Sequence, residues 1–109
     1  MQKLTYFSDT NAVKFIETPT DYVDSIVLVA NTNAQIAIPA GARFCRLSYG
    51  AQFYYSMNVA ASIATASNTG GTGSVTASIY ERPFLFVSGA ANINVISATA
   101  GVLSAEFWA

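Results

Sequence analysis

Charge is the property that this sequence lacks most. Among its 109 residues, Lys and Arg number 5 and Asp and Glu number 6, so 10% are charged while 52% are hydrophobic. Globular domains usually carry about 25% charged residues. The formal net charge is −1, which creates no field that would attract nucleic acid or an anionic membrane surface. We therefore expect neither nucleic acid nor a membrane among its partners.

Histidine is absent and cysteine occurs once, at Cys45. Without histidine the chain lacks the commonest general base and the usual metal ligand. One cysteine can form no internal disulfide and supplies no conventional zinc ligand set. Cys45 lies in an apolar run, where a buried and unreactive thiol is expected. The sequence therefore predicts no metal, no cofactor and no enzymatic activity.

Long hydrophobic runs are also missing. The longest aliphatic run, residues 26–30, is too short to cross a bilayer. The first residues carry no apolar stretch of the signal-peptide type. We expect a protein that is made in the cytoplasm and does not enter a membrane.

What the sequence has in abundance is alternation of apolar and polar residues with a period of two, from residue 25 onward. Such alternation, interrupted by turn residues about every ten positions, is typical of short strands in a sandwich or barrel. We predict an all-β fold, a single antiparallel β-sandwich or jelly-roll-like barrel of seven to eight strands. Asn31 and Asn33 tolerate left-handed backbone, which predicts a hairpin between residues 26–29 and 36–38. A second hairpin is predicted at Gly50.

Two segments differ from this pattern. Residues 1–24 are less periodic and hold six of the charged residues, so they form either an N-terminal arm or an edge segment beside a sandwich domain of residues 25–109. Residues 58–73 consist of small side chains, a long connection for a compact domain. They form either a mobile surface loop or a segment that contact with another subunit orders.

Five residues are candidates for a partner interface. Alternation turns Tyr54 and Trp108 outward, and exposed aromatics beside small polar residues are typical of interface hot spots or of sugar-stacking platforms. Arg43 and Arg46 flank two apolar residues and so project from opposite faces of one strand. Only one of them can lie on the solvent face. The other points into a seam and needs a carboxylate partner, Glu81 or Glu106. The candidate interface residues are Tyr54, Trp108, Arg43, Arg46 and Glu106.

Trp108 has two interpretations. On the last strand, Leu103, Ala105 and Phe107 face inward, which leaves the Trp108 indole outward next to a terminus that would normally fray. Either another subunit or a capsid covers the ring, or the ring folds over the end of the sandwich as a lid.

The neutral surface likewise has two interpretations. Ser, Thr, Asn and Gln solvate a small polar β domain, or neighbouring proteins cover much of the surface, since net charge is what keeps unassembled proteins apart.

The order of segments carries a family resemblance over residues 34–109. Its elements are the apolar strand and Pro-Ala-Gly turn of residues 36–48, the aromatic strand 53–55, the Gly-Thr-Gly at 71–73, the strand 93–98 and the terminal Ala-Glu-Phe-Trp at 105–108. Together they resemble the small all-β structural proteins of tailed bacteriophages, the class that includes capsid decoration or cement proteins.

This resemblance implies a virion structural protein that binds the outside of an assembled phage head. Its partners would be the major capsid protein or other virion proteins, and its own copies would form an oligomer, a trimer on local three-fold axes. The alternative is a carbohydrate-binding or adhesion module of a phage fibre or tail tip, with Tyr54, Tyr55 or Trp108 stacking on sugars.

Overall fold

A computed structural model of the chain describes residues 1–9, 12–16, 19–63, 75–76 and 81–109. These contain ten strands, namely β1 (Thr5–Asp9), β2 (Ala12–Ile16), β3 (Tyr22–Leu28), β4 (Ala34–Ala37), β5 (Phe44–Ser48), β6 (Tyr54–Met57), β7 (Val75–Thr76), β8 (Glu81–Phe86), β9 (Asn92–Ile96) and β10 (Gly101–Trp108). None of the described residues forms a helix, so the described part of the chain holds no helix that could cross a membrane.

Eight of the strands form two four-stranded sheets. Sheet I has the order β3-β10-β5-β8 and sheet II the order β4-β9-β6-β7. The antiparallel pairs are nested, with β6 on β7, β5 on β8, β4 on β9 and β3 on β10. The eight strands thus form one long hairpin that is rolled up into two sheets. Within sheet I the pair β10–β5 joins two of the nested strand pairs, and within sheet II the pair β6–β9 does the same. This is the jelly-roll arrangement, and it confirms the predicted all-β sandwich.

The nesting also overturns both predicted hairpins. β3 and β4 lie in different sheets, as do β5 and β6, so neither pair is joined by ladder hydrogen bonds. Asn31 does adopt the expected left-handed backbone, with φ 59°. Its turn carries the chain from one sheet to the other, and its N–H donates to the Ser97 carbonyl (2.8 Å). Turn chemistry therefore indicated where the strands end but not which strands pair.

The core lies between the sheets and follows the predicted alternation. On β10, Leu103, Ala105 and Phe107 are fully buried, and register places Ala105 and Phe107 opposite the equally buried Leu47 and Cys45 of β5. Sheet II contributes a matching inner row that includes Ile36, Tyr55, Ile93 and Val95. Burial of such side chains is worth roughly 1.5–3 kcal/mol each, which is the main stabilisation of the sandwich.

The N-terminal segment combines anchored ends with a separate hairpin. β1 and β2 form their own two-stranded sheet, in register from Thr5↔Ile16 to Asp9↔Ala12. Just before this hairpin in the sequence, the chain pairs with its own last residue. The Ala109 N–H donates to the Gln2 carbonyl (2.8 Å), and the Leu4 N–H donates to the Ala109 carbonyl (3.2 Å). After the hairpin in the sequence, β3 begins at Tyr22, so the predicted division after residue 24 falls inside a strand of sheet I.

The predicted small-residue loop is described only in its first part, residues 58–63, and residues 64–73 lie outside the described residues. Asn58, with φ 64°, accepts hydrogen bonds at its Oδ1 from the N–H groups of Ala91 and Asn92. The Ala61 N–H donates to Asn33 Oδ1 (2.8 Å). This chain's own side chains thus hold the described part of the loop.

Candidate partner interface

The outer face of sheet I carries exposed valines along β3 and β10. Register places Val102 opposite Val27, and Val23 opposite Glu106. The exposed fractions of Val23, Val27 and Val102 are 55%, 71% and 58%. We call these three residues the valine strip. Large aliphatic side chains at such exposure on neighbouring strands are typical of a surface that another molecule covers.

An ion pair lies beside the valine strip on the same face. The Arg46 guanidinium donates from Nε and Nη2 to Glu106 Oε1 (3.2 and 3.0 Å) and from Nη2 to Oε2 (3.1 Å). The two residues are directly opposite each other on β5 and β10, and each side chain is about one-fifth exposed. Glu106 is one of the two partners that the sequence predicted, but the pair lies on the outer face of sheet I and not in a seam between the sheets. The charges of these two residues thereby neutralise each other.

Trp108 occupies the covered end of the same face. Its register partner is Phe44, and with Leu4 the two form a small apolar cluster separate from the main core. The indole is 1% exposed and the Arg46 guanidinium carbon lies 5.7 Å from its ring centre. The expectation of an exposed indole in the single chain is therefore wrong, because Leu4 from the opposite end of the sequence covers it.

Arg43 lies just before β5 and is exposed. Its guanidinium carbon is 5.4 Å from the centre of the Phe44 ring, within cation–π range. Its backbone is fixed on both sides, since its N–H donates to the Trp108 carbonyl and its carbonyl accepts from the Val87 N–H (both 2.8 Å). The structure thus brings four of the five candidate residues, Arg43, Arg46, Glu106 and Trp108, to one end of sheet I.

Tyr54, the fifth candidate, belongs to sheet II and is half-buried, with Ile96 and Thr76 as its register partners. Its neighbour Tyr55 is 7% exposed and belongs to the core. The three aromatics named for sugar stacking therefore do not form a common exposed platform, because Tyr55 and Trp108 are buried on different sheets.

The outer face of sheet II carries amide side chains and is partly covered. Asn94 is only 5% exposed. Its Oδ1 accepts from Asn33 Nδ2 (3.1 Å) and its Nδ2 donates to Asn92 Oδ1 (2.9 Å). Asn33 Oδ1 also accepts a hydrogen bond from the Ala61 N–H. These amide side chains therefore connect the start of the small-residue loop to sheet II.

The described residues offer little reactive chemistry. Burial, with a smaller contribution from the Glu106 charge, raises the pKa of the Cys45 thiol from 9.0 to about 12. Such a thiol is protonated and unreactive at neutral pH. Within the described ranges, no three His, Cys, Asp or Glu side chains lie close enough together to hold a metal ion.

The valine strip was missed at the sequence level, although the signal was present. Alternation had already placed Leu103, Ala105 and Phe107 inward, which puts Val102 on the opposite face. The same rule applied to Leu28 puts Val27 outward. An uninterrupted aliphatic run such as 26–29 conceals this, because β-branched residues are equally suited to a strand buried on both faces.

No protein-family model, curated protein or solved structure matches this chain.

Proposed function

We propose that the protein is a virion structural protein of the capsid decoration or cement type, which binds an assembled phage head as an oligomer. The observation that carries the proposal is the outer face of sheet I, where the valine strip is exposed beside an ion pair with no net charge. The other support is the sequence resemblance of residues 34–109. The number of subunits, three, comes from that resemblance alone.

The architecture is compatible with this role. Double-sheet jelly rolls are frequent in viral capsid proteins and also in lectins, so the fold by itself does not choose between the two. The surface does favour one of them. A lectin would need a platform of exposed aromatic rings, whereas the two exposed aromatics of sheet I, Tyr22 and Phe86, lie on β3 and β8 at its opposite edges. The exposed side chains of the valine strip are aliphatic. Aliphatic surface suits a protein partner.

The mechanism would be stabilisation by mass action. A protein that binds the assembled shell and not its separate subunits adds its binding free energy to the shell. Several linked copies strengthen the effect, because each binding event raises the effective concentration of the next. No catalytic step is required, which agrees with the shortage of reactive side chains in the described part of the chain.

The test is attachment to phage heads. Heads that lack the chain are incubated with purified protein, and co-sedimentation and the temperature of head rupture are measured. We expect the unmodified chain to bind and to raise the rupture temperature. Val27→Lys should bind much more weakly, whereas Val59→Lys, at another exposed valine (61%) outside the sheets, should bind normally.

The proposal fails if the unmodified chain does not bind heads, or if both lysine variants bind as well as it does. Binding to glycans, measured on the same proteins and lost on Tyr54→Ala, would instead establish the adhesion module.

A further inference from the structure

Strand β3 is an outer strand of sheet I, and β10 is its one neighbour among the described strands. Outer strands expose backbone N–H and C=O groups that can pair with another chain, and proteins usually protect them with Lys, Pro or a bulge. β3 has the sequence YVDSIVL, with neither Lys nor Pro. Its register with β10 runs unbroken from Tyr22 to Leu28. These protective features are therefore absent from β3.

Hydrogen-bond directions identify the backbone groups of β3 that have no partner among the described residues. The Trp108 carbonyl accepts from Arg43 on the β5 side, and the carbonyl of the preceding residue, Phe107, accepts from Thr20 Oγ1 on the β3 side. Because these directions alternate along an antiparallel strand, the backbone groups of the odd-numbered residues of β10 face β3, opposite Tyr22, Asp24, Ile26 and Leu28. The N–H and C=O groups of Val23, Ser25 and Val27 therefore point away from β10.

The side chains beside these groups favour a second copy of the same chain. Val23 and Val27 lie on the outer face and are more than half exposed, and Val102 extends the apolar surface one strand inward. The ion pair of Arg46 and Glu106 leaves no net charge from those two residues on this face. These two residues therefore add no like-charge repulsion between two copies, and the carboxylate of β3, Asp24, lies on the face opposite to Val23, Ser25 and Val27.

We propose that β3 pairs with β3 of a second copy, antiparallel and about a two-fold axis at Ser25. Val23 then lies opposite the second copy's Val27, and the two sheets I join into one eight-stranded sheet. This register pairs all seven residues of each strand and directs the free backbone groups of Val23, Ser25 and Val27 at each other. A shift by one residue would place valines opposite residues of the other face.

The contact is isologous, so it joins the copies in pairs. It does not depend on the capsid role. A three-fold arrangement would need a different surface, and the two contacts could occur together in a larger array.

Ser25→Pro tests the backbone pairing. Proline is tolerated in an outer strand where its missing N–H faces outward, so the bonds to β10 remain. We expect the unmodified chain and Ser25→Ala to sediment as dimers of the 11.5 kDa chain, and Ser25→Pro to sediment as a folded monomer with an unchanged far-ultraviolet dichroism spectrum. A dimer that survives Ser25→Pro would overturn the proposal, as would an unmodified chain that forms no dimer.

A cysteine variant gives a second readout that does not depend on how proline is tolerated. Ser25 lies on the axis, where paired Cα atoms are about 5.5 Å apart, a separation that a disulfide spans. Ser25→Cys should form a covalent dimer on mild oxidation. Thr32→Cys, at an exposed turn far from the axis, should not, and buried Cys45 gives no background. Failure of Ser25→Cys to cross-link in a preparation that sediments as a dimer would place the contact elsewhere.

Discussion

The outer faces of the two sheets differ in how far the chain itself covers them. On sheet II, amide side chains hold residues 58–63 against the strands, and Asn94 is buried with both its amide atoms bonded. On sheet I, only the end near Trp108 is covered, and the valine strip has no cover among the described residues. On sheet II, polar groups hold the covering segment, whereas on sheet I aliphatic groups of the valine strip remain exposed.

This difference separates internal stability from assembly. Buried amides are costly to leave unpaired, so the sheet II face is built for one fixed partner, which is the chain itself. Exposed valines add almost nothing to the stability of the single chain, but they contribute to the binding of whatever covers them. Substitutions on the two faces should therefore produce different defects.

The largest expected effect is at the covered end of sheet I. Trp108→Ala should lower the free energy of unfolding by about 3–5 kcal/mol, because it empties the space between Leu4 and Phe44. Urea unfolding measures this, with Val102→Ala on the same face as a control that should change stability by less than about 0.5 kcal/mol. Equal effects of the two would show that the two ends of the face do not differ. The fluorescence of the single tryptophan should already be blue-shifted in the unassembled chain.

A smaller loss is expected on sheet II. Asn94→Ala should cost about 1–3 kcal/mol, because it removes a partner from each of two other asparagines. Its control is Gln35→Ala, at the exposed register partner of Asn94 on β4, which should be close to neutral. Head binding by Asn94→Ala should be unchanged at a temperature where the variant is folded. Lost binding there would mean that sheet II is part of the interface.

Replacing residues 5–16 with a short Gly-Ser linker should change stability less again. Both ends of the hairpin start near the end of β10, where Leu4 meets Ala109 and Thr20 meets Phe107, so a linker can join them. We expect the sandwich to remain folded by circular dichroism and head binding to fall, as predicted for an arm. A chain that no longer folds would show instead that the hairpin supports the sandwich.

The ionisation of Cys45 should affect the free energy of unfolding at alkaline pH and not at neutral pH. Its pKa is raised by burial, so the thiol in the unfolded chain ionises near pH 9 while the folded one stays protonated to about 12. The contribution of this thiol to stability should therefore be constant well below pH 9 and fall between pH 9 and 12. Cys45→Ala should reduce this dependence. An unchanged pH profile in that variant would assign the fall to other groups, such as Tyr49, whose pKa burial also raises.

The sequence predicted local features well and non-local ones poorly. Alternation placed Leu103, Ala105 and Phe107 correctly. Glu106 was predicted as one of two carboxylate partners for either Arg43 or Arg46, but in a seam and not on the outer face where the pair with Arg46 lies. The sequence could not predict which strands pair, because short turns are compatible with a hairpin or with a crossing between sheets. The cover of Trp108 by Leu4 was beyond it as well, because no local pattern connects residues about a hundred positions apart.

The nested pairing has a consequence for the order of folding. The pair β5–β8 encloses β6–β7, and β3–β10 encloses the other six sandwich strands. Each inner pair therefore shortens the loop that the next pair must close. Folding from the inside outward avoids the large entropy loss of joining β3 directly to β10. During synthesis, β3 emerges before the other sandwich strands and waits for β10, which emerges after them. Until β10 is available, neither edge of β3 is paired within the sandwich. During this interval its valines are most exposed to non-native contacts with other chains.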